Sequence, residues 1–244
     1  MKKLLFLLLA LLMLAGCREE AVPETVGPEE TAATVLTETA AAVTEPPITE
    51  PAVTEPTVTE PPEPESEEAF VRVLDYIPTA VQELRYATED NFTGQVIYPF
   101  QDAYLRYGTV RKLKLVCADL AQLGLYIKIW DGFRPVSAQF TLWKVCPDPT
   151  YVANPNTGYS SHSRGNTIDL TLVDENGVEL EMPTGFDDFS AKADRNYSDC
   201  TETAANNAQL LEVLMEKHGF VGYAGEWWHY SDATSYPVEN VFEP

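Results

Sequence analysis

From residue 110 to 123, apolar side chains recur at Val110, Leu113, Val116, Cys117, Leu120 and Leu123. This alternation of three- and four-residue steps puts one stripe on an α-helix. Gly124 follows at once and marks the stop. Residues 125–130 then read as a strand with Ile127 and Ile129 on one face. A second helical pattern covers 136–145 and ends before Pro147, and 147–158, rich in Pro, Asn, Asp and Gly, reads as an exposed loop. The clearest alternation is at 167–173. Ile168, Leu170 and Leu172 point one way, toward a core, while Thr167, Asp169 and Thr171 point the other. Asp174-Glu175-Asn176-Gly177 is a hairpin turn carrying the Asn-Gly pair, with 178–181 as the return strand. Residues 206–218 form an amphipathic helix with Leu210, Leu211, Leu214 and Met215 inward and Gly219 as its stop. A last strand spans about 225–231. Strands with helices inserted between them predict a single α+β domain, its central sheet mostly antiparallel and flanked by helices.

No such pattern exists before residue 69. The chain opens with Lys2 and Lys3, an apolar run over 4–14, and Leu14-Ala15-Gly16-Cys17. A basic start, a short apolar run and small residues before a cleavage point form an export signal over 1–16. The run is shorter than the roughly 20 residues a spanning helix needs. Leu-Ala-Gly-Cys also resembles the bacterial lipobox, which implies that Cys17 is lipidated and the protein sits outside the cytoplasm, held to the cell membrane by its lipid. From 18 to 68 there is no Phe, Tyr or Trp, and Thr-Glu-Pro recurs at Thr44, Thr49, Thr54 and Thr59. Such a segment buries too little apolar surface to offset its ordering entropy, so 17–68 is expected to be a disordered spacer and 69–244 the folded domain.

Charge narrows the partners. The chain carries −22; residues 18–68, with 14 glutamates and one arginine, hold −13 of it, and Lys2 and Lys3 hold +2, which leaves −11 for 69–244. An acidic domain without a basic stripe excludes the electrostatic footprint of nucleic-acid binding. Of four cysteines, Cys117 falls in the apolar stripe of a helix and reads as a small core residue. A Cys146–Cys200 disulfide is allowed by an exported compartment, and the absence of Cys-x-x-Cys argues against a thiolate metal site.

The chain has three histidines. His218 ends a helix and reads as a cap, favoured there by the helix dipole. The other two stand in Ser161-His162-Ser163-Arg164-Gly165-Asn166-Thr167-Ile168-Asp169 and in Glu226-Trp227-Trp228-His229. Two neutral imidazoles and one carboxylate, His162, Asp169 and His229, are the ligand set of an open catalytic zinc site, one ion per chain. Glu226 is placed to act as general base. On a regular strand, residues three apart point to opposite faces, so a bulge near Trp227 is required for Glu226 and His229 to converge. Trp227 and Trp228 pack the core or wall the pocket. At the end of a strand, Asp131-Gly132-Phe133-Arg134-Pro135 allows two readings. Arg134 is either an oxyanion stabiliser or half of a structural ion pair with Asp131.

At these residues the chain resembles the D-alanyl-D-alanine dipeptidase family of zinc peptidases. The resemblance runs in order through Tyr86-Ala87-Thr88, Asn91-Phe92-Thr93-Gly94, Trp130-Asp131-Gly132-Phe133-Arg134-Pro135, Ser160-Ser161-His162-Ser163-Arg164-Gly165, Ile168-Asp169-Leu170-Thr171-Leu172, Phe186-Asp187 and Glu226-Trp227-Trp228-His229. It implies zinc on His162, Asp169 and His229, Glu226 as base and Arg134 as transition-state stabiliser. It further implies Tyr86 and Asp187 as holders of a dipeptide's free ammonium, with Asp131, Ser160 and Ser161 shaping the pocket. The implied reaction is hydrolysis of a small D-amino-acid dipeptide of the D-Ala-D-Ala type. Family members tied to glycopeptide resistance act in the cytoplasm, whereas an export signal directs this chain to wall-peptide turnover outside it. The competing expectations are a D,D- or L,D-carboxypeptidase of wall stem peptides, with the same chemistry in a more open pocket, and a non-catalytic lipoprotein that binds wall peptides.

Overall fold

The computed structural model of the protein describes residues 61–244. The export signal read over 1–16, Cys17 and the stretch up to residue 60 lie outside the described residues. In chain order the elements are β1 (Phe70–Arg72), α1 (Val73–Tyr76), β2 (Val81–Gln82), β3 (Tyr104–Arg106), α2 (Tyr107–Ala121), β4 (Tyr126–Asp131), α3 (Val136–Val145), β5 (Thr167–Val173), α4 (Glu202–Lys217), β6 (Phe220–Tyr223) and β7 (Glu226–Asp232). One sheet has the order β2-β4-β5-β7-β6, and β1 and β3 form a separate antiparallel pair. Only β2 and β4 run parallel; the other pairs are antiparallel, giving the α+β domain the periodicity predicts.

The register explains why one face is core. Ile127 pairs with Leu172, Ile129 with Leu170 and Ile168 with Tyr230, so these side chains share one side of the sheet. With Leu113, Val116 and Leu120 of α2 and Leu211 and Met215 of α4 they belong to one apolar cluster. Burying each leucine fully contributes about 1.5–3 kcal/mol relative to leaving it in water. Thr201 caps α4 by accepting from the Ala204 amide, and Gly219 just beyond it takes the left-handed backbone at φ +86°.

Several expectations change in detail. The α2 helix ends at Ala121, so Leu123 lies past its last turn and is 57% exposed rather than part of the stripe. Both faces of β5 are buried, polar side included, because β5 is the middle strand and segments outside the sheet close over it. After the turn at Asp174–Gly177, the return strand reduces to one bridge, Val173 to Glu179, and Val178 stays exposed. The loop at 147–158 is not wholly exposed: Val152 is buried. The cysteines Cys117, Cys146 and Cys200 are free thiols, and burial pushes the Cys117 thiol up to about 12. His218 occupies the C-cap of α4, and its Nε2 lies 2.6 Å from Asp119 Oδ2 on α2, an inter-helix contact the cap reading does not include.

Two bulges place the site. Ile129 pairs with Leu170 but Asp131 with Asp169, so Trp130 is an extra residue in β4. That insertion brings Asp131 onto the row of Asp169, whose other neighbour is His229 of β7. On β7, Tyr230 pairs with Gly222 while Glu226 pairs with the next residue of β6, Tyr223. The three residues between have no partner on β6, although His229 still pairs with Asp169 on the other side, and this is the bulge the Glu-x-x-His spacing demands. Residues 62–68 pack on the domain: the Gly108 amide donates to the Glu67 carbonyl and Arg106 Nη1 to that of Glu68. Among the described residues, no helix is long and apolar enough to cross a membrane.

Candidate metal centre and active site

A turn of 3-10 helix, Ser161–Arg164, ends at Gly165 with φ +73° and turns the chain into β5. It holds His162 buried over the strand that carries Asp169. His162 Nδ1 lies 2.8 Å from the Gly132 carbonyl, which can only accept. The proton of the neutral ring is therefore on Nδ1, and Nε2 presents a lone pair. That Nε2 is 3.3 Å from His229 Nδ1 and 3.3 Å from Asp169 Oδ2, while His229 Nδ1 is 3.0 Å from Asp169 Oδ1. The donor atoms of His162, Asp169 and His229 lie within 4.8 Å of one another.

This cluster fits a divalent metal on its own chemistry. Asp169 Oδ1 is buried with no aligned hydrogen bond, although His229 Nδ1 is close. Burial opposes ionisation of Asp169, but the facing imidazoles of His162 and His229 more than offset it and hold its carboxyl well below the usual range. An ionised, unsatisfied carboxylate and ring nitrogens turned toward each other is an arrangement that a cation completes. Two imidazoles and one carboxylate suit zinc. Dialysed against zinc, the full-length chain is expected to retain one equivalent. Asp169→Asn, which removes the only formal charge among the three donors, should weaken retention by more than about 100-fold, beyond what loss of an outer-sphere partner costs. Metal analysis after gel filtration checks this.

The cluster opens into a cavity of about 230 Å³ walled by Tyr86, Arg134, Ser160, Ser161, Asp187 and Glu226 among others. Drug-sized ligand sites start near 300 Å³, so this one suits a very small molecule. Glu226 Oε2 is 3.5 Å from His229 Nδ1, on the same side of the strand because of the bulge. Burial raises the Glu226 carboxyl to about 7, with His229 working against the shift and Asp169 and Asp187 adding to it. Ser161 Oγ is 3.4 Å from His229 Nε2. Also in the lining, the Tyr86 hydroxyl donates to Asp187 Oδ2 at 2.8 Å. Burial also raises the Asp187 carboxyl to about 7, although the Tyr86 hydrogen bond opposes it. Asp187 adopts φ +54°, a left-handed conformation that costs a non-glycine residue energy and is concentrated at functional positions.

Of the two readings the sequence leaves open for Arg134, the ion pair with Asp131 is present, and the same guanidinium also lines the cavity. Its Nε and Nη2 donate to the same oxygen, Asp131 Oδ2, at 3.1 and 2.6 Å, and Nη1 donates to Gln139 Oε1 at 3.0 Å. One hydrogen on each Nη is left for the cavity that Arg134 lines. Asp131, expected to shape the pocket, does not reach it. Its side chain is fully buried behind Arg134, where Oδ1 accepts from the Tyr98 hydroxyl and the Gly132 amide.

Three contributors carry no sequence signal. Tyr98 and Gln139 hold Arg134. Arg195, over 30 residues before His229, fills the β7 bulge: its Nη2 donates to the Trp227 and His229 carbonyls, both at 3.0 Å, and Nε to the Tyr223 carbonyl at 2.8 Å. A Cβ on Gly222 would stand 2.4 Å from the Arg195 guanidinium carbon, so the glycine is what admits it. Across the cavity mouth, Tyr151 of the 147–158 loop stacks on Phe189 with centroids 4.5 Å apart.

Residues 66–242 match the family model described as D-ala-D-ala dipeptidase. The D-alanyl-D-alanine dipeptidase of Escherichia coli strain K12 is 42% identical over 159 residues, covering 64% of this chain and 81% of that protein. The protein of that name from Enterococcus faecalis strain V583 is 34% identical over 166 residues, covering 60% and 82%. Its counterpart from Enterococcus faecium is 33% identical over 178 residues, covering 64% and 88%.

Proposed function

The chain belongs to the D-ala-D-ala dipeptidase family, and we propose that it hydrolyses D-Ala-D-Ala-type dipeptides with zinc held by His162, Asp169 and His229. The observation that carries this reading is the cavity of about 230 Å³, lined by the metal cluster, Glu226 and Arg134 together with the hydrogen-bonded Tyr86–Asp187 pair. A dipeptide offers a free ammonium close to its only peptide bond, and the anionic form of Asp187 recognises that group. When bound, zinc supplies positive charge that polarises a carbonyl and acidifies water. Arg134 directs its two remaining N–H groups to the cavity, where they stabilise negative charge growing on the carbonyl oxygen. Glu226, titrating near neutrality, accepts a proton from the attacking water at Oε2 and returns it to the departing amine nitrogen. The Tyr151–Phe189 stack restricts the mouth and keeps bulk water from the reacting groups.

Ammonium recognition gives the reading a pH signature. Asp187 is neutral below about 7 and anionic above it. Affinity for the dipeptide should therefore rise as pH passes upward through 7, and each unit below should cost kcat/KM up to about tenfold through this group. Asp187→Asn is expected to bind the dipeptide weakly at every pH and to lose the pH dependence of affinity, leaving in kcat/KM only the limb that Glu226, also near 7, contributes; an unchanged pH dependence of dipeptide affinity between pH 5 and 8 would rule Asp187 out as the ammonium site.

The deciding experiment follows cleavage by mass spectrometry for the zinc-loaded full-length chain, with D-Ala-D-Ala, L-Ala-L-Ala and a wall pentapeptide side by side. Selective, chelator-sensitive loss of the D,D-dipeptide supports the proposal. Pentapeptide trimming alone makes the protein a carboxypeptidase, and no turnover makes it a binding protein. We further propose that it acts at the cell surface, tethered by lipid on Cys17, in turnover of wall peptides. Leu14-Ala15-Gly16-Cys17 supports this. Fatty-acid labelling that is lost in Cys17→Ser is the expected result, and equal labelling of both would refute the anchor.

A further inference from the structure

Gln139 sits on α3 just after Arg134, with 1% of its surface exposed. Its carboxamide has two partners of fixed polarity. Oε1 accepts from Arg134 Nη1 at 3.0 Å, and Nε2 donates to the Ala153 carbonyl at 2.8 Å. A guanidinium only donates and a carbonyl only accepts, so these neighbours dictate which way the amide is turned.

The Tyr86 ring packs against the guanidinium, its centroid 5.0 Å from the central carbon, but offers it no hydrogen bond, and the hydrogen bonds other than that to Gln139 leave a degree of freedom. Nε and Nη2 converge on the single oxygen Asp131 Oδ2, and the Tyr98 hydroxyl meets Nε at 3.3 Å, at the same corner of the group. Bonds gathered at one corner define a pivot rather than an orientation. Nη1 is the far corner, and Gln139 is what holds it. The glutamine is itself fixed from the opposite side by Ala153, in the loop whose Thr150, Tyr151 and Val152 wall the cavity.

We infer that Gln139 is a positioning residue for the hydrolysis proposed above: by accepting from Nη1 it sets the tilt of the Arg134 guanidinium against the scissile carbonyl. Its kinetic consequence rests on the dipeptidase reading, while the orientation of the guanidinium does not.

Two variants of the full-length, zinc-loaded chain test this. Gln139→Met keeps the length of the side chain and removes both hydrogen bonds. Gln139→Glu keeps an acceptor for Arg134, now charge-assisted, and loses only the donor to Ala153. In Gln139→Met, kcat on D-Ala-D-Ala should fall roughly 10- to 100-fold, the scale of a catalytic group displaced by about 1 Å. KM should stay within about threefold, because Arg134 acts in the transition state. Gln139→Glu should recover most of that loss. In nitrogen-15 spectra the Arg134 Nη1–H signals, at the corner Gln139 holds, should be sharp in the parent and in Gln139→Glu, and broadened in Gln139→Met. A glutamine that merely fills space would lower the melting temperature of both variants while kcat and the Arg134 signal stayed unchanged, and that result overturns the inference. If the parent itself cleaves no dipeptide, the dipeptidase reading fails alone and the Arg134 signal still decides the role of Gln139. Should Gln139→Met not fold, loss of the signal in Gln139→Glu overturns it instead.

Discussion

Glu226→Gln is expected to lower kcat for D-Ala-D-Ala hydrolysis by about 10² to 10⁴-fold, the range that general acid–base catalysis contributes. The change is nearly isosteric, so the β7 bulge and the His162–Asp169–His229 cluster should keep their geometry. Zinc should stay bound at one equivalent. The carboxamide cannot take a proton from water near neutrality, whereas burial gives the native carboxyl a proton affinity suited to that task. KM should move little, since the lost interaction belongs to the transition state. Steady-state kinetics beside metal analysis makes the test. A variant that retains zinc and full activity would remove Glu226 from the mechanism, and one that loses zinc would recast it as a metal ligand.

Arg134→Met should cost roughly 10² to 10³ in kcat, the loss seen when a donor to a developing oxyanion is removed. Here stability is affected as well. Asp131 is fully buried and receives two of its four hydrogen bonds from Arg134. Without the guanidinium, a buried carboxylate is left uncompensated, at a cost of about 3–5 kcal/mol. Arg134→Lys separates the two effects. The ammonium can reach Asp131 and relieve the buried charge, but it cannot at the same time reach Gln139 and present two N–H groups to the cavity. Thermal stability near that of the parent with kcat still reduced at least about tenfold is the expected pattern. Recovery of both by lysine would mean that only charge matters at this position.

Much of this site was written in short segments of sequence. Three histidines allow few arrangements, and the alternation at 167–173 puts Asp169 on the side away from Leu170 and Leu172, where the structure has it. The Glu-x-x-His spacing announced its own difficulty, and the bulge between Glu226 and Tyr230 resolves it. What the sequence did not disclose is how the bulges are made. Nothing marks Trp130 as an extra residue in β4, because an Ile129-Trp130 apolar pair suits a regular strand buried on both faces equally well. Arg195 lies in a loop with no periodicity; beside its contacts with Tyr230 and Glu212, it supports the bulge through backbone carbonyls, which leave no residue-type signature. The loop at 147–158 carries the composition of solvent-exposed turns, yet it closes the cavity. Its polar residues form local turns, as Asp148 and Asn154 do, while one apolar side chain, Val152, docks it. The twin nature of Arg134, ion pair and cavity donor at once, was beyond a reading that set the two as alternatives, because five N–H groups permit both.

The closeness of Gly222 to Arg195 couples the ways these two positions can change over generations. Any side chain at 222 meets the guanidinium, the movable end of the arginine, so replacing the glycine pushes that end off the carbonyls it holds. Loss of the arginine meets no clash, but it leaves the carbonyls of Tyr223, Trp227 and His229 and the Tyr230 hydroxyl without that donor. A lineage that changes either position therefore weakens the same support, and must find another means of holding its bulge.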